Sequence, residues 1–401
     1  MSSARRPQSW LLCALVLTAT SAGCAKGMEM MTGAAGSGGG GPAGTTGTAG
    51  SGGGTPNMWA TFAAKALHVQ GNKILDTTGA TFRMLGVNRA GSEYMCSPPT
   101  VGTYVFDGST GPSTINAMKD WHINTVRLPL NESCWLGLNG SLVPGQMYRD
   151  EITDYMFRLH LAGIYVVLDL HWSAPGNTVI TGGANGNQLV TMAFADHALD
   201  FWTSVATTFK DDPMVIFDLF NEPILVANDR FGNGPVSNPW GCWRNGCQVA
   251  KGTVAGMQQM LDRVRATGAK QLVVAGGVDW AHQLDGWLAN KPNDTAGNLL
   301  AGFHVYQRPL SDCVDQACWD SQVSPVAAQV PVLVGEMGEQ DCAHGYIDQF
   351  MAWADGKGLS YLGWAWNPQN CNSFPALVSD FNGTPTAFGQ GLRDHLIQIN
   401  P

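Results

Sequence analysis

Charge is scarce in this chain. Of its 401 residues only 13% are Asp, Glu, Lys or Arg, and the balance is acidic, at −9. Nucleic-acid recognition needs a basic patch, so this composition argues against nucleic acid and fits an uncharged ligand. A Gly-rich phosphate-binding fingerprint is missing after the first apolar strand, which weakens a nucleotide-binding reading. The cysteines lack the spacing of a zinc knuckle or ribbon, and no metal is expected. The N-terminal apolar run, Trp10 to Thr20, falls short of a membrane-spanning helix.

That run reads instead as part of a targeting segment. Arg5 and Arg6 supply a positive start, and Thr20, Ser21, Ala22 and Gly23 are small. Cys24 follows. Ala-Gly-Cys after an apolar stretch resembles a bacterial lipoprotein signal, whose cysteine is lipidated after cleavage, although Ser21 stands where Leu is usual. An ordinary secretory signal cut nearby is the other reading, and both export the protein. Residues 32 to 56 are nearly all Gly, Ala, Ser, Thr and Pro, too poor in apolar side chains to form a core. The expected organisation is a signal over 1–23, a flexible linker over 24–57 and one folded domain over 58–401. It would be extracellular or held by a lipid anchor at a bacterial surface, and monomeric.

Cysteine is plentiful. Cys13 and Cys24 belong to the leader, and Cys96, Cys134, Cys242, Cys247, Cys313, Cys318, Cys342 and Cys371 remain. An even set in an exported chain predicts disulfides. Cys242/Cys247 and Cys313/Cys318 suit local bridges. Cys96–Cys134 and Cys342–Cys371 would use the rest, although sequence alone does not fix the connectivity.

From Met58 onward, apolar runs alternate with stretches of helical period. A short hairpin opens the domain, Leu67 to Gln70, a Gly71-Asn72 turn, then Lys73 to Asp76. Strands are predicted at 82–88, 123–129, 164–170, 214–220, 271–276, 299–304, 331–336 and 360–366. Between them, Ile152, Tyr155, Met156 and Leu159, and again Met257, Met260, Leu261 and Val264, recur at i, i+3, i+4, i+7, as core faces of helices do. Eight strand–helix units predict an α/β fold, a (β/α)8 TIM barrel, with its site at the C-terminal strand ends.

Those ends carry polar and aromatic residues. The second holds Arg127, the third His171 and Trp172, the fourth Asn221, Glu222 and Pro223. The sixth holds His304 and Tyr306, the seventh Glu336, and the eighth Trp364 and Trp366. A rigidly held carboxylate pair such as Glu222 and Glu336 is the minimal equipment for cleaving a glycosidic bond. Singly, each residue is more often a cap, an ion pair or a core histidine. Together they form a constellation.

The order Arg, His, Asn-Glu, His-x-Tyr, Glu, Trp resembles glycoside hydrolase family five, the cellulase family, over residues 65 to 400. The resemblance implies a retaining mechanism, with Glu336 as nucleophile and Glu222 as acid/base, the carboxyls about 5–5.5 Å apart. It implies that Arg127 keeps Glu336 ionised, Tyr306 hydrogen-bonds it, Asn221 meets the sugar 2-hydroxyl, and His304 and His171 serve Glu222 or the substrate. Trp366, nearer the mouth than Trp364, is taken as the stacking residue. Trp172 and Trp280 are further sugar platforms, and Asn88 and Glu93 could line more distant subsites. The loop with Trp240, Cys242, Trp243 and Cys247 either walls the cleft or covers the rim. The chemistry requires no cofactor.

The partner implied is a β-linked oligo- or polysaccharide, with β-1,4-glucan first. β-Mannan is the nearest rival, and exo-acting glucosidases and transglycosylases share the same residues. A rival of another class is a non-catalytic surface carbohydrate-binding protein. A scaffolding lipoprotein is a second.

Overall fold

The eight apolar runs become eight parallel strands closed into one barrel. The computed structural model describes residues 57–97, 104–138, 141–173, 176, 190–225, 236–307, 311 and 313–400. Cys24, the expected leader and nearly all of the linker lie outside the described residues. The compact unit around the barrel spans Met58–Pro401. Among the described residues no helix is long and apolar enough to cross a membrane.

The barrel strands, in chain order, are β1 Leu85–Asn88, β2 Thr125–Asn131, β3 Tyr165–Trp172, β4 Val215–Asp218, β5 Val273–Gly276, β6 Leu299–Tyr306, β7 Val332–Gly338 and β8 Ser360–Gly363. Each pairs with its sequence neighbour, and β8 closes on β1. Almost every strand residue is buried, because one face meets the barrel interior and the other the helices. The longer helices are α1 Pro112–Asp120, α2 Gly145–Leu161, α3 Ala195–Phe209, α4 Met257–Ala266, α5 Gly345–Lys357 and α6 Ala387–Ile399. The two apolar stripes read from the sequence fall on α2 and α4 and are fully buried.

The segment before β1 closes the N-terminal end of the barrel. The hairpin forms over His68–Gln70 and Lys73–Leu75, with Gly71 in the left-handed region its turn requires, and gains a short third strand, Thr81–Phe82. Val69 donates to Asn298 just before β6 (2.9 Å), and Tyr165 at the start of β3 donates to Lys65 (2.8 Å). Trp59 and Phe62, on a 3-10 turn over Met58–Lys65, pack edge-on against Phe157 and His160.

The opposite end holds all the disulfides found among the described residues. Cys96–Cys134 joins the segments after β1 and β2, and Cys342–Cys371 those after β7 and β8. Cys242–Cys247 and Cys313–Cys318 staple the loops after β4 and β6. The connectivity left open by sequence is therefore the one with two local and two long bridges. Their Cα separations, 4.9 to 6.2 Å, suit disulfide geometry.

Candidate active site

The site is built around Arg127. Its side chain is fully buried inside the barrel, and a guanidinium has five N–H donors to satisfy there. Nε donates to Asp218 on β4 (3.0 Å). Nη1 donates to Glu336 on β7 (2.9 Å) and to Asn88 on β1 (3.1 Å). Nη2 donates to Asn221 (2.9 Å) and lies 3.0 Å from Asp169 on β3. One cation thus ties four other strands to β2. A second cluster sits directly above. His304 Nδ1 is 3.0 Å from Glu222 and 3.7 Å from Glu336, and the Tyr306 hydroxyl donates to Glu336 at 2.5 Å.

Two irregularities aim these side chains. Against β6, Val334 pairs with Phe303 but Glu336 pairs with His304, so Gly335 is an extra residue on β7. Successive residues on a strand face opposite ways, and one inserted residue inverts the alternation beyond it. Glu336 is thereby turned inward, beside His304. The inserted residue has to be small: a Cβ on Gly335 would stand 3.0 Å from His304 Nε2 and 3.7 Å from Arg127 Nε. A second bulge lies on β3. Leu170 pairs with Leu130 and Trp172 with Asn131, leaving His171 as the extra residue. His171 Nδ1 meets Asp169 at 2.6 Å, and its ring stacks on Trp364 (5.4 Å, 13° between planes).

Burial sets the protonation of the site. It pushes His171 down to about 4 and His304 down to about 3, so both rings are neutral near pH 7. It drives the Tyr306 phenol well above its usual range, keeping it a donor. Asp169 and Asp218 are pushed up by burial against the pull of Arg127. Donor atoms of Glu222, His304 and Glu336 all lie within 4.8 Å of one another, close enough to hold a cation. The same spacing brings the two carboxylates together on either side of a small gap.

Arg127, His171, Asn221, Glu222, His304, Tyr306 and Glu336 therefore converge on one spot at the C-terminal end of the barrel. Trp172 closes β3 half-buried, 6.4 Å from the Tyr94 ring. Trp280 lies just beyond Glu222. Asp279 and Trp280 donate their backbone N–H to Ile224 and Pro223, and residues 279 to 281 all adopt left-handed backbone at φ 54°, 61° and 59°. Such conformations cost non-glycine residues roughly 1–3 kcal/mol each. The strained turn clasps the segment that follows Glu222.

Two expectations are corrected, and one left open is decided. Trp366 is not a platform: it is wholly buried, edge-on to Trp121 (4.8 Å), because its backbone bonds back to Asn88. Trp364 instead keeps a partly open surface over His171. Asn88 and Glu93 are turned into the barrel wall, where protein groups take up their polar atoms. Asn88 braces Gly335, Gly363 and Arg127 from below. Glu93 accepts from the Gly91 N–H, and burial pushes its carboxyl up to about 8. The loop with Cys242 and Cys247 covers the rim: Trp243 is buried and donates to the carbonyl of Gly276 at the end of β5, and Trp240 packs on it.

Sequence reasoning missed Asp169 and Asp218. The signal was an aspartate inside each of two apolar runs, Val-Val-Leu-Asp-Leu-His and Val-Ile-Phe-Asp-Leu-Phe. It also missed the rim network in which Asn367 donates to Tyr94 (2.9 Å) and to Asp107 (2.6 Å).

Known proteins share this pattern. The sequence profile of Cellulase (glycosyl hydrolase family 5) matches residues 75–370. A mannan endo-1,4-beta-mannosidase of Streptomyces lividans is 23% identical over 77% of this chain, which spans 68% of that protein. Endoglucanase C of Evansella cellulosilytica is 25% identical over 47% of this chain, which spans only 21% of that larger protein. Among solved structures, a beta-glucanase from Saccharophagus degradans in complex with cellotetraose superimposes with a TM-score of 0.63. It is 21% identical and covers 84% of this chain and 94% of its own.

Proposed function

The chain belongs to the cellulase family, glycosyl hydrolase family 5, whose members are retaining O-glycosyl hydrolases, and from that premise we propose that it is an endo-acting β-1,4-glucanase. The observation that carries the retaining chemistry is the short gap between Glu222 and Glu336, with carboxylate oxygens within 4.8 Å, and the Endoglucanase C relative supports the glucan. Retaining enzymes hold their carboxyls about 5–5.5 Å apart, whereas inverting ones need roughly 6.5–9.5 Å to admit a water.

In this reading Glu336 attacks the anomeric carbon and Glu222 protonates the departing oxygen. A covalent glycosyl-enzyme forms. Glu222 then takes a proton from water, which displaces Glu336 and regenerates both groups. Arg127 and Tyr306 donate to Glu336 and hold its carboxyl in place. Asn221, held by Arg127, presents its amide to the sugar 2-hydroxyl. His304 orients Glu222. His171 keeps its remaining ring nitrogen for a substrate hydroxyl, and Trp364, Trp172 and Trp280 offer ring faces.

β-Mannan is the second reading, and the mannosidase relative supports it. Action from chain ends would use the same residues. We further place the protein outside the cytoplasm, as a monomer tethered through Cys24 or released after signal cleavage. The four disulfides support an oxidising compartment.

A panel of cellulose derivatives, glucomannan, mannan, xylan, β-1,3-glucan and aryl glycosides tests this, with the first-formed anomer followed by NMR. Retained β-anomer from glucans is expected, and Glu336→Gln should abolish it. An inverted product, or a wild type inert to every glycan, overturns the proposal. Activity on mannan alone renames the substrate and keeps the mechanism.

A further inference from the structure

Beneath the two glutamates the charges do not balance. Three carboxylates, on Glu336, Asp169 and Asp218, surround the single guanidinium of Arg127, with contacts of 2.9, 3.0 and 3.0 Å. All of these side chains are at least nine-tenths buried. Among the described residues, the charged and titratable groups around them are Arg127 from β2, His171 from β3, Glu222 beyond β4, His304 and Tyr306 from β6 and Glu336 from β7. Both histidines are neutral and add no positive charge. Three anions sharing one cation in a buried site carry a desolvation penalty that taking up a proton relieves.

Asp169 and Asp218 are the pair that can relieve it. They stand opposite each other in the β3–β4 register, and like charges so placed raise each other's hold on a proton. They are not equivalent. Asp169 Oδ2 faces two donors, Arg127 Nη2 at 3.0 Å and His171 Nδ1 at 2.6 Å. Asp218 receives Arg127 Nε alone. An anion is favoured where donors converge, so the proton belongs on Asp218. Asp169 Oδ1 has no hydrogen-bond partner and offers that proton an unused lone pair on the neighbouring strand.

We propose that Asp169 and Asp218 are positioning residues that hold one proton between them, carried on Asp218, and that this proton leaves the charge of Arg127 for Glu336. Ionised Asp169 then fixes His171 as the Nδ1–H tautomer and keeps its Nε2 an acceptor toward the cleft. When the shared proton leaves at high pH, a third full negative charge competes for the guanidinium, and Glu336 loses part of its hold. The kinetic consequence rests on the glycosidase reading above. The proton itself does not.

The test has two independent readouts. Infrared difference spectra of protein labelled with 13C at its aspartate side-chain carboxyls exclude the buried glutamates Glu93, Glu132 and Glu339, and Asp212→Asn identifies any band from the buried Asp212 beside His160. At pH 6 one protonated aspartate band is expected in the wild type. It should vanish in Asp218→Asn and titrate away as pH rises. In kinetics, the alkaline limb of kcat/KM should be steeper than one proton for the wild type and should follow one proton in Asp218→Asn. Asp169→Asn should lower kcat/KM by about tenfold or more at every pH, because His171 loses the ionised acceptor that fixes its tautomer. The proposal is overturned by a wild type without the band, by a band that survives in Asp218→Asn, or by a wild-type alkaline limb of one proton. If the wild type hydrolyses nothing, the infrared result still decides where the proton sits, and only the functional reading falls.

Discussion

Two arginines are fully buried in neighbouring parts of this barrel, and their surroundings could hardly differ more. Arg127 points its donors at Glu336, Asp218, Asp169, Asn88 and Asn221. Arg89, whose own N–H bonds to the Arg127 carbonyl at 2.9 Å, has one carboxylate, Asp107 at 2.7 Å, and a contact to the Ala90 carbonyl. Its charge lies over the rings of Phe381 (4.4 Å) and Phe106 (5.5 Å), and its Nε and Nη2 have no hydrogen-bond partner among the described residues. Burial alone therefore does not mark a functional arginine. Arg127 is held by polar groups from four other strands, so its position is over-determined. Arg89 is packed as a large flat side chain with a charge attached.

Replacing Arg127 with Lys is the strongest way to break this contrast. Lysine offers a point charge where a planar fork is needed, and kcat/KM should fall by about 1,000-fold or more while the far-UV CD spectrum is kept. A fall of less than tenfold would make Arg127 no more than a structural ion pair. Next, Trp366→Ala and Trp364→Ala should separate packing from binding. The buried Trp366 should cost about 3–5 kcal/mol in urea unfolding, whereas Trp364→Ala should raise KM with a smaller loss of stability. Equal effects would undo the reassignment of the stacking residue.

A smaller effect is expected at Glu93, which belongs to the Arg89 side. Burial raises its folded-state value to about 8 from an unfolded value near 4.5, so the native state retains a proton that the unfolded state releases. Its contribution to stability is full below pH about 4.5 and is lost as pH rises through about 8. Glu93→Gln should match the wild type in melting temperature near pH 4 and exceed it by a few degrees at pH 9. A parallel decline in both proteins would place the alkaline loss elsewhere. The smallest change belongs to Arg89→Met. Asp107 would lose its cation but keep the donors Tyr94 and Asn367 and some contact with solvent, so stability should fall by about 1–2 kcal/mol and activity should stay near the wild type. A loss comparable to Arg127→Lys would make the two arginines equivalents.

What could be read in the sequence follows from the same physics. All eight barrel strands were visible because strands buried on both faces spell continuous apolar runs. Glu222 and Glu336 stood out because they end such runs. Side-chain direction was harder. Trp366 lies nearer the mouth only if β8 runs on past it, but the strand stops at Gly363, and residues 365 and 366 are held by the carbonyls of Pro375 and Asn88. Asn88 and Glu93 follow β1 like site residues, yet they turn into the wall. The aspartates at 169 and 218 were visible, but what they balance is a charge on another strand, and register is not written in a local pattern.

The extra glycine on β7 has a consequence beyond geometry. It sets the parity of the strand, so that residues counted from the N-terminal end fall out of step with those counted from the C-terminal end. Pairing Gly335 with His304, with no residue left over, would restore an even pleat and, by that measure, a better strand. It would also rotate Glu336 to the helix-facing side, where Val305 would be its neighbour in place of His304. A chain so repaired would keep its barrel and lose its chemistry. In the proposed mechanism β7 thus depends on an imperfection, and searches for more stable variants that regularise it would be expected to select inactive barrels.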